Sequence, residues 1–207
     1  MAGLDELLAR AKAHLDGGRF PEAKAAVQEA FDLDPKDEGV REAYGNVYLA
    51  HGIRLSGAAR EMRRREIDAR GTPGEAFEDS DAVKALFRET IEAFDRVLAA
   101  NPDHAKALSL KAEALFRLDR ANRAQALAAY DDAITALERT LPPGPALDRG
   151  RRNLGMGRRR IERPCERCDD TGFCAECGGS GWRTVLGFRK KCEACLGHGV
   201  CKRCGVL

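Results

Sequence analysis

The sequence predicts a mainly α fold, antiparallel helical hairpins stacked as a solenoid or bundle, with a small β-hairpin module at its C-terminal end. Three observations predict it. The 207 residues are 43% hydrophobic, 33% charged and only 6% aromatic, a helical composition that argues against a sandwich, a barrel or a doubly wound sheet. Apolar residues recur at helical spacing through the first 140 residues. All eight cysteines fall in the last 43 residues, and charge changes sign at the same place: residues 1–140 carry a net −5 and residues 141–207 a net +7. The run Pro142-Pro143-Gly144-Pro145 marks the boundary. The expected organisation is a helical domain over 1–141, a basic linker rich in Pro, Gly and Arg over 142–163, and a cysteine module over 164–207.

The elements follow in order. Leu4, Leu7, Leu8, Ala11 and Leu15 lie on one face of a first helix, which Asp16-Gly17-Gly18 ends. Ala23, Ala26, Val27, Ala30 and Phe31 form the stripe of a second, entered through Phe20-Pro21 and stopped near Asp34-Pro35. Short amphipathic helices joined by so few residues pack antiparallel to hide their stripes. A helix over 37–50 follows, then an insert in which 55–69 reads as helical and Gly71-Thr72-Pro73-Gly74 as a loop. Val83, Leu86, Phe87, Thr90, Ile91, Phe94, Val97 and Leu98 make a strongly periodic helix over 80–100, capped by Asp79 or Ser80. A last pair spans 105–118 and about 123–141.

These hairpins resemble tetratricopeptide repeats, helix-turn-helix units of about 34 residues. With Pro35 as the late proline of the repeat, Ala11, Gly18, Phe20, Ala23, Val27 and Ala30 fall on its small, turn, aromatic, small, large and small positions. Ala112, Leu115, Ala126, Tyr130 and Ala133 lie near repeat positions in the last pair. The resemblance implies a concave groove for a protein or peptide partner, with Lys12, Tyr44, Lys106 and Lys111 as candidate contacts. The family's carboxylate clamp is not carried over, because Leu8, Ala43 and Leu110 stand where it needs polar side chains and only Lys106 matches.

The cysteines form four Cys-x-x-Cys pairs, Cys165/Cys168, Cys174/Cys177, Cys192/Cys195 and Cys201/Cys204. Two intervening residues let one tight turn aim both sulfurs at a single ion, and four thiolates complete the tetrahedron that structural zinc prefers, so two zinc ions per chain are expected. The intervals of 5, 14 and 5 residues between pairs are nearly palindromic. They suggest that the outer pairs meet and the inner pairs meet, although spacing alone also allows sequential pairing. Between the inner pairs, residues 182–191 alternate and contain Gly187, the pattern of two short strands and a turn.

This segment is similar to the cysteine-rich domain of DnaJ-type co-chaperones, with the unit Cys-x-x-Cys-x-Gly-x-Gly. The units starting at Cys174 and Cys192 match in full, the first has Asp170 in place of a glycine, and the last ends Cys204-Gly205-Val206-Leu207. The resemblance implies that Cys165, Cys168, Cys201 and Cys204 hold one zinc and Cys174, Cys177, Cys192 and Cys195 the other, and that the module binds unfolded polypeptide. No His-Pro-Asp tripeptide occurs, so stimulation of an ATPase partner by a J domain is not expected.

Two other readings come from the residues. The arginines of 149–163, among them Arg151, Arg152, Arg158, Arg159 and Arg160, suit the phosphates of nucleic acid. A Cys-x-x-Cys pair without metal suits thiol–disulfide exchange. No phosphate loop, His-Glu-x-x-His or nucleophile elbow occurs, and the histidines 14, 51, 104 and 198 are scattered, so no enzyme is expected. The sequence begins without a basic leader and an apolar core, and no uncharged apolar run approaches membrane length, which predicts a cytoplasmic protein without membrane insertion.

Overall fold

The computed structural model describes residues 3–69 and 78–203. Among the described residues, seven helices pack antiparallel, each mainly against its neighbours in sequence: α1 (Leu4–Asp16), α2 (Phe20–Leu33), α3 (Glu38–Ala69), α4 (Asp81–Ala100), α5 (Ala105–Leu118), α6 (Arg123–Thr140) and α7 (Pro145–Glu162). A small antiparallel sheet of β1 (Trp182–Val185) and β2 (Phe188–Lys191) follows, and a single 3-10 turn, Arg120–Asn122, joins α5 to α6.

Hydrophobic burial is divided into a row of small cores between adjacent helices. Ala11, Ala23, Ala26, Val27, Tyr44, Val47 and Ala100 form one near the start. Ala112, Leu115, Phe116, Ala126, Ala129, Tyr130 and Ile161 form another near the end. Alanine dominates both, so the helices approach closely and the few large side chains fill what remains. Ser80 caps α4 by accepting the Val83 N–H at 3.2 Å. Asp79, the other candidate, instead receives both arms of the nearly buried Arg63 guanidinium.

Two sequence expectations change. The helix over 37–50 and the helical part of the insert are one continuous rod, α3, about 48 Å long at 1.5 Å per residue. No proline interrupts the junction, and Gly52 serves packing there, since a Cβ on it would lie 2.6 Å from the Phe94 ring. The expected loop Gly71-Thr72-Pro73-Gly74 lies outside the described residues.

The second change is larger. Most of 142–163, expected to be a linker, is the helix α7, packed along α6. Pro145 starts it at the position where a missing N–H is harmless. Leu147 and Ile161 are buried, and Gly150 and Gly157 face Leu137 and Tyr130 so closely that a methyl group at either would overlap them. Glycines that suggest flexibility in the sequence are contact points in the fold.

Candidate metal centre

The cysteine module consists of tight knuckles, each built on one Cys-x-x-Cys pair. In two of them the backbone repeats closely. The N–H of Gly179 bonds the carbonyl of Cys174 at 3.3 Å, and the N–H of Gly197 bonds that of Cys192 at 3.0 Å. The N–H of Gly181 then points at Cys177 Sγ and that of Gly199 at Cys195 Sγ, both at 3.3 Å. These donors stabilise thiolate and fix the direction of its lone pairs.

The second and third pairs lie together. The sulfurs of Cys174, Cys177, Cys192 and Cys195 are all within 4.8 Å of one another, and all four residues are buried. Cys174 and Cys192 are separated by 3.9 Å and Cys177 and Cys195 by 3.8 Å. A tetrahedron with metal–sulfur bonds of about 2.3 Å has edges of about 3.8 Å, so the donor set fits a zinc ion. A second group brings Cys165, Cys168 and Cys201 within the same mutual distance, with Cys165 and Cys201 sulfurs 3.7 Å apart. Cys204 lies outside the described residues. Groups of four and three cysteines can thus each hold a metal ion.

The electrostatics of the four-cysteine group call for a cation. Burial and the neighbouring Cys177 and Cys195 push the Cys174 thiol up to about 12, and burial also raises Cys195. Cys192 goes the other way: against burial, the N–H groups of Cys195 and Ala194 and its neighbouring thiols hold it below the usual thiol range. Four sulfurs this close ionise together only around a positive charge.

The module is docked on the helices. Val200 and the partly buried Phe173 pack on Ile67 near the end of α3. Asp170, at the place of the motif's missing glycine, has φ of 63°. Aspartate enters that left-handed region more readily than most residues, and here its carboxylate is used twice. One oxygen accepts the Cys165 N–H at 3.4 Å, and the other pairs with Arg123 of α6. Arg123 also donates to the Ile161 carbonyl in the last turn of α7 at 2.5 Å.

The candidate partner contacts on the helices are not a set. Lys12 pairs with Asp16 at 2.7 Å, Lys111 pairs with Asp95 at 2.6 Å, and Lys106 is exposed on α5. Tyr44 is only 3% exposed, between the rings of Phe31 and Tyr48, so it belongs to the core and presents no surface to a partner. Of the arginines proposed for nucleic acid, Arg151 pairs with Glu138 and Arg158 with Asp131 and Glu162, while Arg152, Arg159 and Arg160 are exposed.

One polar site escaped the sequence reading. A cleft of about 230 Å³ is lined by Lys24, Tyr48, His51, Glu89, Glu92 and Arg96. His51 Nε2 lies 3.2 Å from the Lys24 ammonium, and burial, helped by Lys24 and Arg54, pulls its pKa down to about 4. Three elements meet there, and no local pattern in the sequence links them.

Compared with known proteins, the chain matches no family model and no curated sequence. Among the described residues, no helix is long and apolar enough to cross a membrane.

Proposed function

We propose that the protein is a non-enzymatic, zinc-dependent adaptor that holds a polypeptide client, chaperone-like in action. Zinc is held by Cys174, Cys177, Cys192 and Cys195 in one site and by Cys165, Cys168, Cys201 and Cys204 in the other, the pairing that the resemblance to DnaJ-type modules implies. The observation that carries the client reading is the hairpin tip. Leu186 is 93% and Phe188 72% exposed, and Val185 and Leu196 are also open to solvent. Leu186 and Gly187 both take positive φ, the tight turn that lets a two-residue loop project such a tip. An apolar group displayed on a metal-held element is a binding surface, since nothing in folding rewards its exposure. Arg183 pairs with Glu176 at 3.1 Å, but Arg189, Lys190 and Lys191 follow on β2 without an acidic residue in either strand, which favours acidic clients.

The helical array resembles tetratricopeptide repeats, and its grooves would offer a second contact for the same client. Two contacts on one body raise the effective concentration of the second once the first is made.

The test is binding of a reduced, carboxymethylated polypeptide that cannot refold, followed by the full chain with and without L186S/F188S. Retention by the parent and at least tenfold weaker binding by the variant, at equal metal content, is the expected result. Equal binding by both would remove the hairpin from the function.

A further inference from the structure

The helix α7 divides its arginines between two jobs. Toward α6 it buries Leu147 and Ile161, and on the flanks of that contact Arg151 meets Glu138 at 2.6 Å and Arg158 meets Asp131 at 2.7 Å. On the opposite side Arg149, Arg152, Arg159 and Arg163 follow one another at intervals of three, seven and four residues, with Met156 between them, and all are exposed. Within α7, Arg149, Arg152 and Arg159 form a single stripe about 15 Å long at 1.5 Å per residue, and Arg163 follows at the extended C-cap. Among the described residues none of these four arginines has an ion-pair partner within 4.0 Å. Arg149 and Arg152, three residues apart, are like-charge neighbours on this face, and an external anion relieves their repulsion.

We propose that this outward face of α7 binds nucleic acid through the phosphodiester backbone, without reading its sequence. The arginines are spread along the outside of a helix, so the stripe suits a linear polyanion and not a small anion. Guanidinium pairs with phosphate oxygens through two parallel N–H bonds, which explains a choice of arginine at every position. No aromatic side chain lies on this helix, so bases have nothing to stack on, and a duplex with its phosphates outward is the better match than a single strand. An acidic polypeptide is the rival anion, but protein interfaces are anchored by buried apolar and aromatic groups, and this face offers Met156 alone. Near its C-terminal end the stripe meets a cleft of about 480 Å³ that mixes Arg159 and Arg163 with Glu162 and Glu166, and Arg203 of the cysteine module pairs with Glu166 there at 3.1 Å, so the uncompensated basic surface ends at this junction.

The experiment is anisotropy of a labelled DNA duplex of about 20 base pairs and mixed sequence, titrated with the metal-loaded full chain at salt from 50 to 200 mM. Four phosphate contacts predict a slope of log K on log salt of about −3.6, an affinity loss of about 150-fold over that range. R152Q/R159Q should flatten the slope by about 1.8, whereas R151Q/R158Q should leave it unchanged while lowering the thermal midpoint. Glutamine is as good a helix former as arginine, so α7 survives in both, and helicity checks this. A slope shallower than −1, or equal effects of the two pairs, overturns the proposal. Competition by polyglutamate as effective as by duplex at equal charge overturns the assignment of the partner.

Discussion

Gly181 and Gly199 occupy equivalent places in two facing knuckles, and each is held against the other knuckle's backbone: a Cβ on Gly181 would strike the Gly197 carbonyl, and one on Gly199 the Gly179 carbonyl. Their φ values are 75° and 70°, and each donates its N–H to a cysteine sulfur. Alanine at either position should therefore weaken metal binding at the four-cysteine group by about 10- to 100-fold, the usual effect of losing a group that orients a ligand. Competition with a chromophoric chelator measures it. Gly187→Ala is the control, because φ there is 82° but nothing lies within 4 Å of the added methyl. Equal weakening by all three would attribute the effect to backbone strain alone.

Metal removal should separate the cysteine module from the helices. Trp182 is the only tryptophan, and its ring lies under the Arg189 guanidinium at 4.5 Å, so its emission reports on the module. Two metal ions per chain by elemental analysis are expected. A strong chelator should shift the emission to the red and leave most ellipticity at 222 nm, since structural zinc supplies on the order of 10–16 kcal/mol to folds with so little core while the helices have cores of their own. Cys192→Ser should lose one ion and keep the other. Loss of helicity in parallel with Trp182 emission would instead make the helices dependent on the module.

Asp170→Gly distinguishes turn geometry from docking. Glycine takes a φ of 63° freely, so the knuckle should keep its metal, but the Arg123 partner disappears. Arg123 remains against the Ile161 carbonyl as a largely buried cation, and the thermal stability of the helices should fall by about 1–3 kcal/mol. Arg123→Gln should give a similar loss, and the double variant should cost less than the sum. Additive losses would show that the two residues act separately.

Most of the helical order was legible because burial here is local: each stripe in the sequence meets the stripe of the next helix, so periodicity and turn residues suffice. The cysteine knuckles were legible for the same reason, since two residues between sulfurs dictate a knuckle, whereas spacing alone left open which pairs meet. What was lost depends on distant partners. Gly150 and Gly157 read as linker until Leu137 and Tyr130 are beside them, and the continuity of α3 between 50 and 55 shows only where Phe94 covers Gly52. Tyr44 looks available on a helix face, yet Phe31 and Tyr48 enclose it. Asp170 looks like decay of the motif and is a contact to Arg123.

His51 predicts how acid should act on the helical region. Its ring packs 5.5 Å from Phe20, and the cations Lys24 and Arg54 face it, with Arg96, Glu89 and Glu92 lining the same cleft. With the Lys24 ammonium donating to Nε2, the ring proton sits on Nδ1, which is buried and has no hydrogen-bond partner, so the imidazole is neutral. Its pKa of about 4 in the fold lies below the ordinary value of about 6.5, so the unfolded chain binds more protons between these limits. Stability from this group is complete above about pH 6.5, falls as pH drops toward 4, and changes no further below that. His51→Gln removes the titration and keeps a polar side chain of similar reach. Thermal midpoints at pH 7.5 and 5.0, followed by ellipticity at 222 nm, should therefore fall more in the parent than in the variant. The cysteines also lose metal in acid, but that loss is common to both proteins and cancels in the comparison. An equal fall would mean that protonated His51 is accommodated, with Glu89 or Glu92 swinging in to pair with it.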